Sequence, residues 1–390
     1  MTRPGAGGGP ADEWYGGPPP THRPGPGQPP PVPWSPPPPP QWGPYPAPPP
    51  QWGPYPAPPP QWGPYPGPPP VAWALPPGTP PHDVPQPFLL AMRSRDWAWW
   101  RPVLGLLLIG VVFLVAGAVV GVIGILTGVS PDLALLDLTD PGVLLVTNAT
   151  LIVAIPVVWL AWAVAHGMRP GWSSSVLARL RWRLLPRLTL LALCSLGVAV
   201  GLSALLAFTV GDAQLEGPVA SWGWLLAVVL LTTPLQSAAE EYLFRGYLSQ
   251  AIAGWIGRPA AGAVVAALVT ATLFALAHLP PTPVAFLDYL AFALAASAVV
   301  WLTGGIEAAI VLHAVNNVLI FLLAGLLDDD LAAAGPVPAG VGLASLALTL
   351  AGTGAYVALV AWWRRRGGAE TCTAAQDLRG PAVGAPVPAR

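Results

Sequence analysis

Residues 102–127 read PVLGLLLIGVVFLVAGAVVGVIGILT, a run without one charged side chain. About 20 apolar residues in helical form cross the hydrocarbon core of a bilayer. Helix is the form required there, since no water satisfies exposed backbone groups inside lipid. Seven comparable runs follow, at 142–165, 188–209, 222–249, 259–279, 284–303, 305–327 and 340–363. The expected fold is therefore all-α, a polytopic membrane bundle of about eight transmembrane helices. Composition points the same way. The 390 residues are 54% hydrophobic and 9% charged, whereas soluble domains carry about 25% charged residues.

The arginines orient the bundle. Arg93, Arg95 and Arg101 precede the first run, and Arg169, Arg179, Arg181, Arg183 and Arg187 separate the second from the third. Arg258 lies between the fourth and fifth, and Arg364 to Arg366 follow the eighth. The opposite loops hold only acids: Asp132, Asp137, Asp140, Asp212, Glu216 and Asp328 to Asp330. Positive charge accumulates on the cytoplasmic side of membrane proteins, so both termini are expected in the cytoplasm of a cell-membrane protein. The segment 169–187 can lie on the membrane as an amphipathic helix, with Trp172, Leu177, Leu180 and Trp182 dipping inward. Topogenic charge alone explains it equally well. All 17 basic residues are arginine, which, with the abundant Ala, Gly and Pro, suits a GC-rich bacterial genome.

The first 87 residues hold 37 of the 54 prolines and cannot build a packed core. Residues 41–70 are three decapeptides, QWGPYPAPPP twice and then QWGPYPGPPP. Such a stretch is an extended polyproline spacer or a ligand for a proline-recognition domain with an aromatic groove. No apolar stretch adjoins the first charges, so no cleavable leader is expected. A net charge of −1 gives no basic face for nucleic acid. Cys194 and Cys372 imply no disulfide framework. The organisation expected is a disordered proline-rich tail at 1–88, two spans with a basic segment at 97–184, a catalytic membrane domain at 185–327, a last span at 328–366 and a disordered tail at 367–390.

Ionisable residues inside a membrane are costly and by default mark function. The fourth run holds Glu240-Glu241-Tyr-Leu-Phe-Arg245, the fifth ends Phe274-Ala-Leu-Ala-His278, and the seventh carries His313-Ala-Val-Asn-Asn317. Asp288 stands alone in the sixth. Glu241 and Arg245 share a helix face and can pair. Glu240 is rotated about 100° from Glu241 and can face the bundle interior. His313 and Asn317 share a face, and Phe274 lies one turn from His278. Pro234 removes a helix hydrogen bond and is expected to kink the fourth span. For Glu240, His278 and His313 to reach one level, the fourth and fifth spans must extend past the membrane. Two carboxylates, two imidazoles and an amide supply what hydrolysis needs, a water activator and oxyanion donors.

In this order on separate spans, E-E-x-x-x-R, F-x-x-x-H and H-x-x-x-N resemble the CAAX protease and bacteriocin-processing (CPBP, or Abi) family of intramembrane endopeptidases. The likeness covers roughly residues 185–327. It implies a protease acting at the membrane on a lipid-embedded or lipidated protein or peptide. Glu240 would activate water with His278, His313 and Asn317 would stabilise the oxyanion, and Glu241, Arg245 and Phe274 would support them. Whether a metal takes part stays open here. Glu240, His278 and His313 can form a three-ligand Zn2+ site, and a metal-free site with Glu240 as general base is equally buildable. The zincin motif H-E-x-x-H is absent from the sequence. Two other readings use the same residues: a catalytically silent scaffold or bacteriocin-immunity factor, and a proton-relay transporter, which the family likeness disfavours.

Overall fold

The computed structural model describes residues 79–130, 137–209, 217–327 and 339–375, all within one compact unit, Trp73–Arg390. It is helical, with no strand longer than an isolated bridge among the described residues. The helices are α1 Trp100–Leu126, α2 Pro141–Ile152, α3 Ala154–His166, α4 Leu185–Thr209, α5 Trp222–Leu243, α6 Ser249–Ile256, α7 Pro259–Ala277, α8 Pro283–Thr303, α9 Glu307–Leu327 and α10 Ala339–Arg365. Joined where they run on, they give eight helices long and apolar enough to cross a membrane, and the chain is a multi-pass membrane protein. Leu107, Leu114, Leu231 and Trp224 point outward, as side chains facing lipid do. The ends follow local chemistry. Asp140 accepts from the Gly142 and Val143 N–H groups at the start of α2, and Thr282 caps α8 through the Ala285 N–H. Pro141, Pro259 and Pro283 open their helices, where a missing N–H costs nothing.

Two helices depart from regularity. The second span breaks at Val153 into α2 and α3. The fourth runs through Pro234, and its irregularity falls further on, in a π-helical turn at Phe244–Leu248. With α6 it forms one helix of 35 residues, Trp222–Ile256. At 1.5 Å per residue that is about 52 Å, far beyond a hydrocarbon core of about 30 Å. The fourth helix thus has the length that such an extension requires, whereas the fifth, α7, has 19 residues, about one crossing.

The arginine-rich end is a knit cap, and it corrects three expectations. Segment 169–187 is not a surface helix. It folds as turns at Pro170–Ser173 and Trp182–Leu184, with Trp172, Val176 and the three serines between them buried. Its backbone pairs with the α8–α9 turn, Val176 N–H donating to Gly304 O and Ile306 N–H to Ser174 O. Arg181 turns inward, donating from Nε to Glu307 Oε1 at 2.9 Å and from Nη2 to Glu307 Oε2 at 2.7 Å. The tail expected to be disordered through residue 88 is packed from Thr79 onward. His82 and Phe88 to Met92 are buried, and Met92 N–H donates to Gln250 Oε1 at 3.1 Å. Residues 367–375, expected to be disordered, also pack. Cys372 bridges Pro87, Thr373 N–H donates to Gln86 O, and Arg181 Nη1 donates to Glu370 O. Burial of Phe88, Leu89 and Leu90 is the reason, since these apolar residues follow the prolines and find a core to enter. The decapeptide repeats lie outside the described residues.

Candidate active site

Helices α5 and α9 pack along each other and carry most of the site. Glu240 and Glu241 end α5 just before the π-helical turn, an insertion that occurs often at functional sites. Through that turn Phe244, Arg245, Gly246 and Tyr247 are all buried. Arg245 donates from Nη1 to Glu241 Oε1 and from Nη2 to Ala293 O on α8, both at 2.8 Å. Its guanidinium also lies 5.1 Å from the centre of the Phe274 ring. Both side chains of the Glu241–Arg245 pair are fully buried. A charge at such a site must be paired and hydrogen-bonded to be tolerated.

His313 joins the two glutamates. Its Nδ1–H donates to Glu241 Oε1 at 3.0 Å, and its Nε2 lies 3.8 Å from Glu240 Oε2. The ring is fixed edge-on by Phe274 and Phe292, at centroid distances of 5.6 and 5.4 Å. Glu240 itself is 13% exposed. Its Oε1 accepts from Gln236 Nε2, while its Oε2 is buried with no hydrogen-bond partner. Asn317, one turn beyond His313, donates from Nδ2 to Gln236 Oε1 at 3.5 Å and accepts from Asn316 Nδ2 at 3.3 Å.

His278 caps the end of α7. Its Nδ1–H donates to Phe274 O at 2.8 Å, and its ring lies between Phe274 and Tyr289, 4.4 and 4.9 Å away by centroids. Leu279, the next residue, has φ +48°, a backbone conformation unusual for a branched side chain. The chain therefore turns sharply at the imidazole. Sequence places His278 beside Glu240, but the structure gives them no hydrogen bond or ion pair, and the imidazole touching Glu240 is His313. Phe274 is the wall common to both imidazoles.

The three-ligand zinc set is not assembled in this arrangement. His278 gives Nδ1–H to a backbone carbonyl and His313 gives it to Glu241, which leaves the Nε2 of each as the nitrogen a metal would take. Among the described residues no three His, Cys, Asp or Glu side chains converge as metal ligands. The motif residues are linked pairwise, His278, His313 and Arg245 through Phe274 and Glu240 and Asn317 through Gln236, whereas Asp288 lies on α8 near Thr349. Two buried polar residues escape the motif. Gln236 is four residues before Glu240, a spacing that puts both on one helix face and was available to be read. Glu307 opens α9, and nothing in the sequence near it announces its partner, 126 positions away.

The family model described as type II CAAX prenyl endopeptidase Rce1-like matches residues 222–319, from the first residue of α5 to just past Asn317. An uncharacterised protein, YyaK of Bacillus subtilis strain 168, is 29% identical over 189 residues, which is 46% of this chain and 61% of that protein. The chain thus spans less than two thirds of that relative's length. No solved structure matches. The matched stretch holds all three motifs on α5, α7 and α9, and over residues 222–319 the chain is similar to the type II CAAX prenyl endopeptidases.

Proposed function

We propose that the chain is an intramembrane endopeptidase of the CAAX type, hydrolysing a peptide bond of a membrane-associated or lipidated protein or peptide. One observation carries this reading. Glu240 Oε2 is buried, has no hydrogen-bond partner, and faces an imidazole nitrogen 3.8 Å away. A water against that oxygen gives its proton to the carboxylate while its own oxygen bonds to the scissile carbonyl carbon. Charge develops on the carbonyl oxygen. The Asn317 amide is its donor, joined by His313 when a second proton sits on Nε2, since Nδ1–H is already given to Glu241; such donors are preorganised before the reaction. Collapse breaks the C–N bond, and the proton taken from water passes to the leaving amine. His278, with Nδ1–H fixed on Phe274 O, offers Nε2 as an acceptor that orients the water. Arg245 holds Glu241 in place through its Nη1–H.

The arginine-rich end lies in the cytoplasm in this reading, with both termini, and the membrane is the cell membrane. Lipid surrounds the bundle, and substrate reaches the site from within or beside the bilayer. The test compares membrane peptides from cells carrying wild type and Glu240→Gln. A peptide that accumulates uncut only with the variant supports proteolysis. Identical peptide profiles, with the cellular phenotype retained, would instead establish the silent scaffold.

A further inference from the structure

Gln236 belongs to none of the three motifs, yet it is buried to 6% exposure between the proposed base and the proposed oxyanion amide. We infer that Gln236 is a positioning residue, which fixes the Glu240 carboxylate so that Oε2 is the oxygen offered to water and ties it to Asn317 across the α5–α9 contact. The inference rests on the assignment of Glu240 as base.

The orientation of the amide follows from chemistry. An ionised carboxylate only accepts hydrogen bonds, so the Gln236 NH2 group must face Glu240. Its oxygen then faces Asn317 Nδ2 at 3.5 Å, and Ser237 Oγ donates to the same oxygen at 3.4 Å. Each group meets its complement with no flip required. The spacing of four residues between Gln236 and Glu240 places one directly over the other on α5.

The need for such a bond is equally physical. The terminal torsion of a glutamate is broad and roughly two-fold. Left free, Oε1 and Oε2 would exchange, and the carboxylate would swing from its place opposite His313 Nε2. Gln236 occupies Oε1 and leaves Oε2 unpartnered. Because its other end holds Asn317, one side chain sets two distances at once, base to water on α5 and amide to oxyanion on α9. Glutamate at 236 would set acceptor against acceptor. Methionine would fill the same space without any bond.

The experiment uses the full chain in detergent, as wild type, Gln236→Met, Gln236→Glu and Glu240→Gln. The first readout is infrared absorption of protein labelled with 13C-glutamate. Subtracting the Glu240→Gln spectrum isolates the Glu240 carboxylate band, which is sensitive to a hydrogen bond at one oxygen. The second is turnover of a fluorogenic peptide ending in a prenylated cysteine tetrapeptide. Gln236→Met is expected to move the band and to lower kcat about 10- to 100-fold, the worth of one hydrogen bond to a charged group, with KM within about twofold. Gln236→Glu is expected to be slower still, which a packing role would not produce. A band that stays put in Gln236→Met overturns the inference whatever the turnover. So does a rise in KM at unchanged kcat, which would make Gln236 a substrate contact. If Glu240→Gln turns over like wild type, the assignment of the base fails instead. If wild type does not cut this peptide, the band alone decides.

Discussion

Replacing Arg245 by methionine strands a charge. Arg245 and Glu241 are fully buried 2.8 Å apart, so at an effective dielectric of about 20 their gross attraction is roughly 6 kcal/mol. Desolvation offsets most of that, and the net worth of such a pair is small. Removing one partner is different, because the other stays buried and uncompensated, typically at about 3–5 kcal/mol. Arg245→Met and Glu241→Met should each cost about that much. The double variant removes both charges. It leaves His313 Nδ1 without its partner, at about 1–3 kcal/mol, while Ala293 O keeps the Ser297 hydroxyl. It should therefore cost roughly 1–3 kcal/mol, where simple addition of the singles gives roughly 6–10. Reversible unfolding in mixed detergent and denaturant measures all four proteins. Turnover should not recover in the double variant, since His313 has lost the carboxylate that orients it. Additive costs, or singles within about 0.5 kcal/mol of wild type, would show that the pair is not buried together as described.

Three further outcomes are expected. Asn317→Ala should lower kcat about 10²- to 10³-fold, the usual loss for one oxyanion donor, with KM nearly unchanged; a loss seen mainly in KM would assign Asn317 to substrate binding. Glu307→Gln should destabilise the arginine-rich end by about 3–5 kcal/mol, as breaking a buried pair does, and should speed hydrogen exchange at residues 174–176 and 304–306, which the exchange pattern of the variant reads directly. His82 is held below the usual histidine range by burial and by the nearby Arg95 charge. Its undocked form therefore binds a proton first, so docking of residues 79–92 is strongest above about pH 6.5 and weakens as pH falls below it. Exchange at residues 88–92, corrected for intrinsic rates, should rise between pH 7.5 and 5.5 in wild type and rise less in His82→Leu.

The helices were legible because membrane helices announce themselves by what they lack. A run such as 102–127 admits no reading other than a span, and Pro141, Pro259 and Pro283 mark starts to within a few residues. The motif residues were legible because charge is so rare in these runs that each instance stands out. Arg181 shows where that logic fails. Among five arginines of one basic segment nothing distinguishes the one that turns inward, because its partner Glu307 is remote in sequence. Composition likewise hid the packing of Phe88 to Met92, since prolines dominate the stretch before them. The π-helical turn at Phe244–Leu248 leaves no mark in residue type. The contact of His313, rather than His278, with Glu240 depends on how α7 ends, which periodicity does not resolve.

The two halves of the site lie on different helices, so its geometry is the register of α9 against α5. A slip of one residue moves a side chain by about 1.5 Å along the axis and 100° around it, enough to separate His313 from both glutamates. The contacts that hold this register lie at the start of α9. Gly304 turns the chain at φ +66°, and a side chain there would meet Glu370 O at 2.6 Å and Thr371 Cα at 2.7 Å. The turn is thus clasped by the C-terminal segment on one side and by residues 174–176 on the other. Glu307, three residues on, is locked by three hydrogen bonds from Arg181, the backbone N–H among them at 2.8 Å. His313 follows six residues later, about 9 Å along the helix. The buried Arg181–Glu307 pair is therefore more than a surface ion pair seen from inside. It fixes the height at which His313 meets Glu240, and it does so from a loop that sequence reads only as topogenic charge.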